Sequence, residues 1–201
     1  MITVHIEQGS EAWFQERCGR FTASKFATLM SGESTKGYKD LILETAGEAI
    51  TGTTEESYTN AAMERGTELE PDARREFEDI QGVEVDQVGF CLPDDISLTD
   101  WVGVSPDGVF LDHILEIKCP MLKTHMGYIN ANRLPSTYKW QVQGQLWITG
   151  ARTCFFMSYY PGLKPFIIEV FPDLEMHNQL RERALKAIVE VKQTIKNYDL
   201  L

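Results

Sequence analysis

Apolar residues recur every three or four positions through much of the first 80 residues, which is the spacing of amphipathic helices. This pattern, with a loop at 31–37, predicts a short helix capped by Ser10, a helix from Thr22 through Met30, and helices over 38–50 and 60–80. The last of these helices carries one apolar stripe, formed by Leu69, Ala73, Phe77 and Ile80. Gly82 is expected to end it.

After Gly82 the pattern changes to the alternation that is typical of strands. It predicts strands over Val83–Phe90, Trp101–Val104, Val109–Leu111, His113–Lys118, Thr153–Tyr160 and Phe166–Phe171. Two helices, over 122–132 and 136–149, are predicted between the fourth and fifth strands. Asp173 is expected to cap a last helix, in whose apolar stripe His177 is interpreted as a packed residue. This order predicts an α/β fold with a mixed central sheet flanked by helices.

Composition narrows the class of protein. A chain of 201 residues with 43% hydrophobic and 24% charged residues is typical of one globular domain rather than a disordered chain. No stretch approaches the roughly 18 apolar residues of a membrane span. The N-terminus resembles no secretory signal, so a cytoplasmic location is expected. The four cysteines are scattered without a CxxC pair, which argues against a structural zinc site or a disulfide framework.

The net charge of −11 argues at first against a nucleic-acid partner. Its distribution changes that picture. Residues 41–116 carry 3 basic and 19 acidic side chains, whereas residues 117–201 carry 11 basic and 6 acidic ones. Such asymmetry is typical of a site where acidic groups hold a metal and basic groups hold phosphate. It is also explained by an acidic surface without any such site.

Chemistry is concentrated in residues 105–118. Asp107 falls in a turn, and Glu116 and Lys118 lie two apart in the next strand, so that their side chains share one face. A hairpin between them brings Asp107 beside Glu116. Two close carboxylates repel unless a cation lies between them, and their oxygens suit Mg²⁺ or Mn²⁺. The alternative is a turn aspartate next to a surface ion pair.

These residues resemble a known motif. Pro106-Asp107 followed by Glu116-Ile117-Lys118 resembles the PD-(D/E)xK nuclease motif. An ordered set of blocks over roughly residues 8–160 is similar to the lambda exonuclease and YqaJ-type viral recombinase family. The blocks are Trp13 with Arg17, Thr22-Ala-Ser24, Arg65-Gly-Thr-Glu-Leu-Glu70-Pro, Ser105-Pro-Asp-Gly108, Leu115-Glu-Ile-Lys-Cys-Pro120, and Tyr138 with Gln141-Val-Gln143.

The resemblance implies a restriction-endonuclease-like core at about 60–171 within a single exonuclease domain of residues 1–201. Helices over 9–50 and 173–199 would pack on that core. By this resemblance Asp107, Glu116 and the Ile117 carbonyl bind Mg²⁺, for which Mn²⁺ substitutes. Lys118 activates or positions the attacking water, and Glu70 supports a second metal or the water network. The 5′-phosphate and DNA would be held by Arg17, Ser24, Ser105, Tyr138 and Gln141.

The implied activity is a Mg²⁺-dependent, processive 5′-to-3′ exonuclease on double-stranded DNA. It releases 5′-mononucleotides and leaves a 3′ strand for recombination. The implied partners are DNA ends, a homotrimeric ring and a phage-type single-strand annealing protein in a bacterial host. The loop at 51–60 is a candidate for separating the strands. Two alternatives stay open: a structure-specific or restriction-type PD-(D/E)xK endonuclease, and a non-catalytic protein that binds DNA ends.

Overall fold

The centre of the molecule is a four-stranded mixed sheet in the computed structural model, which describes residues 1–54 and 61–200. Helices α5 (Leu122–Ala131) and α6 (Lys139–Thr149) connect its two parallel middle strands, as a parallel pair requires. Both outer pairs are antiparallel. The predicted mixed sheet flanked by helices is therefore confirmed. The strands run in the order β5 (Gly108–Phe110), β6 (His113–Lys118), β7 (Thr153–Ser158) and β8 (Phe166–Val170).

The two faces of β6 pack against different helices. Leu115 and Ile117 join Phe77 of α4 (Ala61–Gln81) in one apolar cluster. Ile114 joins Val142 of α6 in another cluster on the opposite face. Because side chains alternate along a strand, Glu116 and Lys118 lie on the Ile114 face, toward α6. This alternation determines which helix meets the acidic strand.

A second layer contains the N-terminal helices, and the last helix covers it. The side chains of α2 (Phe26–Leu29), α3 (Lys36–Thr51) and α7 (Leu174–Asp199) share one buried cluster. Two small sheets connect this layer to the middle of the chain. The element pairs are β1 (Ile2–Val4) with β3 (Phe90–Leu92), antiparallel, and β2 (Phe21–Thr22) with β4 (Val102–Gly103), parallel.

Two predicted elements are wrong in part. The strand predicted over Val83–Phe90 forms only one bridge, from Asp86 to Val109, and the regular strand begins at Phe90. Just before Phe90 the backbone packs closely on the N-terminal segment, since a Cβ at Gly89 would lie 2.2 Å from the Ile6 carbonyl oxygen. The helix predicted from Thr22 is instead the short strand β2, a 3₁₀ turn (Ala23–Lys25) and the single-turn helix α2.

The predicted helix ends agree well with the structure. The Ser10 hydroxyl accepts from Trp13 N at the start of α1 (Glu11–Arg17), and Asp173 accepts from Met176 N at the start of α7. Gly82 follows α4 in the left-handed conformation, with φ of 66°. The stripe on α4 is shorter than predicted, because Ala73 and Phe77 are buried whereas Ile80 is half exposed.

Within residues 1–54 and 61–200, no helix is long and apolar enough to cross a membrane. All four cysteines are free thiols. His177 is buried in α7, as predicted, where it contacts the Gln143 side chain. The proposed strand-separating loop at 51–60 lies largely outside the described residues.

Candidate active site

The β5–β6 hairpin places Asp107 beside the acidic strand. Asp107 lies immediately before β5, where Gly108 pairs with Leu115 across the hairpin. The Asp107 Oδ2 atom accepts a 2.6 Å hydrogen bond from the backbone N–H of Ile117. The turn aspartate therefore lies against the residue that follows Glu116, at the end of the strand that carries Lys118.

Glu116 is a buried carboxylate with both oxygens bonded. Its side chain is 1% exposed. Gln141 Nε2 donates to Oε1 over 2.5 Å, and Gln145 Nε2 donates to Oε2 over 2.6 Å. The Lys118 ammonium also contacts Oε1. A carboxylate that accepts from this many donors is held in one orientation, and its negative charge is stabilised despite burial.

Lys118 keeps its proton in this setting. Burial alone would lower the pKa of Lys118, but the Glu116 and Asp107 carboxylates raise it above its ordinary value. The ammonium also lies 5.3 Å from the centre of the Tyr138 ring, which adds a cation–π contact. Tyr138 thus contacts the site through Lys118.

Glu70 reaches the site through an arginine that the sequence did not single out. Arg74 Nη2 donates to Glu70 Oε1 over 2.6 Å and to the Asp107 carbonyl over 3.0 Å. Burial raises the pKa of Glu70, and the Glu116 charge adds to this effect, while Arg74 opposes it. The spacing of four residues between Glu70 and Arg74 on one helix is the signal that could have revealed this pair.

The Asp107 carboxyl lies near two other acidic groups, Glu116 and Glu70, and one cation, Lys118. Burial and the Glu116 charge raise the pKa of Asp107 well above its ordinary value, and Glu70 adds to the shift. Over the described part of the chain, no three His, Cys, Asp or Glu side chains converge as a complete metal cage. Two carboxylates and a strand carbonyl are nevertheless oxygen donors of the kind that Mg²⁺ takes together with water. The residues present therefore fit a divalent cation.

A second cluster contains a partly buried cation. The Arg17 guanidinium stacks on the Trp13 ring at 4.0 Å, and burial lowers the pKa of Arg17 to about 10. Among the described residues it has no hydrogen-bond or ion-pair partner. The Trp13 Nε1–H donates to the Ser105 hydroxyl over 3.0 Å, two residues before Asp107. A cation without a bonded partner next to a hydroxyl is suited to an anion.

Ser24 lies on the neighbouring 3₁₀ turn. Its exposed hydroxyl is 3.3 Å from the Thr22 hydroxyl. Lys25 next to it forms ion pairs with Glu44 and Glu48, at 2.8 and 3.8 Å. Glu48 also accepts from Gly19 N over 2.9 Å and so fixes the turn that follows α1. Sequence reasoning did not identify Lys25 or Glu48 as part of this surface.

The predicted site residues therefore form two groups. Glu116, Lys118, Tyr138 and Gln141 are connected by direct contacts, and Asp107 is bonded to the backbone N–H of Ile117 between Glu116 and Lys118. Arg74 connects Glu70 to the Asp107 carbonyl. Arg17 and Ser105 meet through Trp13, whereas Ser24 contacts Thr22. Gln141 was predicted to hold DNA, but in this structure its amide donates to Glu116.

The mixed sheet, its flanking helices and the acidic hairpin define an α/β protein of the restriction-endonuclease-like fold. Residues 12–152 match the family model described as "YqaJ-like viral recombinase domain". Since this match spans more than half of the chain, the chain belongs to the YqaJ-like viral recombinase family. No curated protein matches the chain.

Solved structures agree with this family. An alkaline exonuclease (LHK-Exo) from Laribacter hongkongensis is 32% identical, with a TM-score of 0.86 over 94% of this chain and 96% of that chain. The same exonuclease in complex with dAMP matches equally well. A phage-related exonuclease from Haemophilus somnus 129PT is 14% identical, with a TM-score of 0.70 over 89% and 96% of the two chains, and shows the fold alone.

Proposed function

We propose that this chain is a Mg²⁺-dependent 5′-to-3′ exonuclease that digests double-stranded DNA to 5′-mononucleotides, with residues 1–201 as a single exonuclease domain. The observation that carries the proposal is the buried Glu116 carboxylate, held by Gln141, Gln145 and Lys118 at the strand end where Asp107 lies. Membership of the YqaJ-like family and the similarity to an alkaline exonuclease support it.

In the proposed mechanism, Asp107, Glu116 and the Ile117 carbonyl would hold Mg²⁺, for which Mn²⁺ would substitute. When bound, the metal supplies Lewis-acid activation of water and neutralises charge on the phosphate. The water oxygen attacks phosphorus and the bond from phosphorus to the 3′ oxygen breaks. The attacking water gives one proton to solvent, and the 3′ oxygen takes one proton from solvent. Lys118, which stays protonated, orients the water and stabilises negative charge on the phosphate oxygens. Glu70 supports the water network.

Arg17, Ser24 and Ser105 would hold the 5′-phosphate of the strand being digested. Arg17 supports this role best, because it is a partly buried cation whose fork of N–H donors has no other partner among the described residues. Gln141 and Tyr138 would contact DNA beside Lys118. The pairing of a phosphate grip with a hydrolytic site favours an exonuclease over a restriction-type endonuclease.

The assembly and biological setting are also proposals. By family resemblance we infer a homotrimeric ring that encloses the duplex. Three chains of 22.9 kDa give about 69 kDa, which light scattering would measure. The 3′ strand would pass to a phage-type single-strand annealing protein in the cytoplasm of a bacterial host.

The proposal is tested with linear duplex carrying or lacking a 5′-phosphate, in Mg²⁺, followed by sizing of the products. Wild type should release mononucleotides, faster from the phosphorylated end, and Glu116→Gln, Asp107→Ala and Lys118→Ala should release none. Glu169→Gln is the matched control, because Glu169 lies exposed on β8 of the same sheet. Wild-type activity in any of the three site variants would refute the site assignment.

Closed circular DNA separates the alternatives. An exonuclease leaves covalently closed circles uncut, whereas an endonuclease of the same fold nicks or linearises them. A protein that only binds ends leaves both circular and linear DNA intact. Cutting of circles would replace the proposed function with the endonuclease.

A further inference from the structure

Helix α6 presents two glutamines, one turn apart, to a single carboxylate. Gln141 is half-buried and Gln145 is completely buried. Their amides donate to different oxygens of Glu116, over 2.5 and 2.6 Å. A spacing of four residues on a helix puts two side chains on one face, so together they span the width of the carboxylate. Gln145 is the member that solvent and substrate do not reach.

The Gln145 side chain has an unsatisfied atom. Its Oε1 is buried and, among the residues that the structure describes, has no hydrogen-bond donor; only Thr45 Oγ1 shares this condition. A buried acceptor without a donor destabilises the folded state. An apolar side chain of the same size would avoid that cost. Only the amide, however, can donate a hydrogen bond to Glu116.

Gln143, two residues earlier on the same helix, shows the contrasting case. It is buried on the other side of α6, and its Nε2 donates to the Phe171 carbonyl over 2.9 Å. Its Oε1 accepts from Asp173 N over 2.8 Å and from His177 Nε2 over 3.0 Å. All its bonds connect α6 to the start of α7, so its role is structural.

We propose that Gln145 is a positioning residue for the metal site: it holds Glu116 Oε2 so that the carboxylate keeps the orientation that binds the divalent cation. This inference rests on the proposed function. Groups that bond to metal ligands from behind orient them, and their loss typically lowers metal affinity or activity by about 10–100-fold. The fixed Glu116 orientation and the orphaned Oε1 both point to this role.

The test compares Gln145→Met with Gln143→Met, which are the same near-isosteric change at two buried positions of one helix. The first measurement is the rise in melting temperature that Mn²⁺ causes without DNA. The second is the Mg²⁺ concentration that gives half-maximal digestion of linear duplex. Gln145→Met should lose most of the Mn²⁺-induced rise and require at least tenfold more Mg²⁺. Gln143→Met should have a lower melting temperature but keep the Mn²⁺-induced rise and the wild-type Mg²⁺ requirement.

The possible failures are distinguishable. If Gln145→Met keeps the wild-type Mn²⁺ response and Mg²⁺ requirement, the positioning role is refuted while the proposed function stands. If both variants shift the Mg²⁺ requirement equally, the effect belongs to α6 as a whole and the specific role of Gln145 is also refuted. If wild type shows neither Mn²⁺ stabilisation nor digestion, the proposed function itself fails. Should Gln145→Met not fold, Gln145→Asn, whose amide is one methylene shorter, is measured in the same way.

Discussion

Arg17 is unusual at the scale of single residues, because a guanidinium that is largely removed from water normally has a carboxylate partner. Here it has the Trp13 ring, and Glu48 acts on it only through its charge. Its retained positive charge, with no bonded partner among the described residues, suits a ligand that brings its own negative charge. The residue therefore offers a specific test of how a DNA end is recognised.

Arg17→Met should remove the preference for 5′-phosphorylated over 5′-hydroxyl ends. A charged hydrogen bond contributes about 1.5–3 kcal/mol, so the preference should fall by at least about tenfold. Initial rates of digestion on the two ends measure it. Lys36→Met removes the same charge from an exposed position and should leave the preference unchanged. An unchanged preference in Arg17→Met would exclude Arg17 from the phosphate grip.

Asp107→Asn should stabilise the metal-free protein while it abolishes digestion. Since the folded state raises the pKa of Asp107, the wild type loses stability as pH rises above the ordinary aspartate pKa. The neutral amide avoids that loss, so the advantage of the variant should be absent near pH 3 and should grow as pH rises. A gain of about 1 kcal/mol corresponds to roughly 2–4 °C in melting temperature.

Melting curves in a chelator at several pH values measure this. Asp95→Asn is the control of opposite sign, because hydrogen bonds from Ser97 and Arg181 lower the pKa of Asp95 to about 2. That variant should lose stability above pH 4, where wild-type Asp95 is ionised in both states. Equal stability of Asp107→Asn and wild type at every pH would contradict the raised pKa.

Spacing in the sequence predicted the acidic cluster but not its connections. The two-residue step from Glu116 to Lys118 puts both side chains on one face of any strand. A turn before that strand brings Asp107 back beside Glu116. The partner of Gln141 depends on how closely α6 approaches β6, which no local pattern encodes. The four-residue spacing between Glu70 and Arg74 is a local signal, but the bond from Arg74 to the Asp107 carbonyl joins residues 33 positions apart and has none.

At the scale of elements, the approach of α6 depends on a glycine. A Cβ at Gly144 would lie 2.1 Å from the Phe26 ring, which is itself buried in α2. Gly144 lies directly between Gln143 and Gln145, which are both buried. The distance between this helix and the N-terminal layer is therefore set by the absence of a side chain at one position.

Gly144→Ala should destabilise the protein by about 1–3 kcal/mol, because the added methyl group forces α6 and the Phe26 ring apart. It should also lower the rate of digestion, since α6 carries the donors to Glu116. Gly47→Ala, in α3 with nothing within 4 Å of the new Cβ, should be neutral or stabilising by up to about 1 kcal/mol. Urea unfolding and digestion rates test both. A neutral Gly144→Ala would show that the helix has room to move.

Element predictions succeeded where the signal is local. Caps at Ser10 and Asp173 and the stop at Gly82 depend on neighbouring residues, and all three form. The strand predicted over Val83–Phe90 does not form over most of that range. Alternation of apolar and polar residues is a local pattern, whereas a strand forms only where a partner strand lies alongside it. The pairing of Ile2–Val4 with a strand almost 90 residues later has no local signal at all.

At the scale of the whole molecule, the net charge of −11 predicts weak nonspecific attraction to DNA. If a ring encloses the duplex, topology rather than attraction keeps the enzyme on its substrate. Digestion by enzyme already loaded on long linear duplex should therefore change little between 50 and 200 mM salt. An open enzyme held by 6–10 phosphate contacts would lose affinity by about 10³–10⁵-fold over that range. Single-turnover digestion after loading distinguishes the two.

The indole of Trp13 lies between the proposed phosphate-binding residues and the segment that leads to the proposed metal site. Its ring supports the Arg17 cation, and its N–H is bonded to Ser105 and to the Gly89 carbonyl, both beside the strand that leads to Asp107. Trp13 thus connects the residue that would hold a strand end to the segment that leads to Asp107. Under the proposed function, this connection would place the bond to be cut at a constant position from the strand end, whatever the base. An enzyme built in this way would release products of one length from DNA of any sequence.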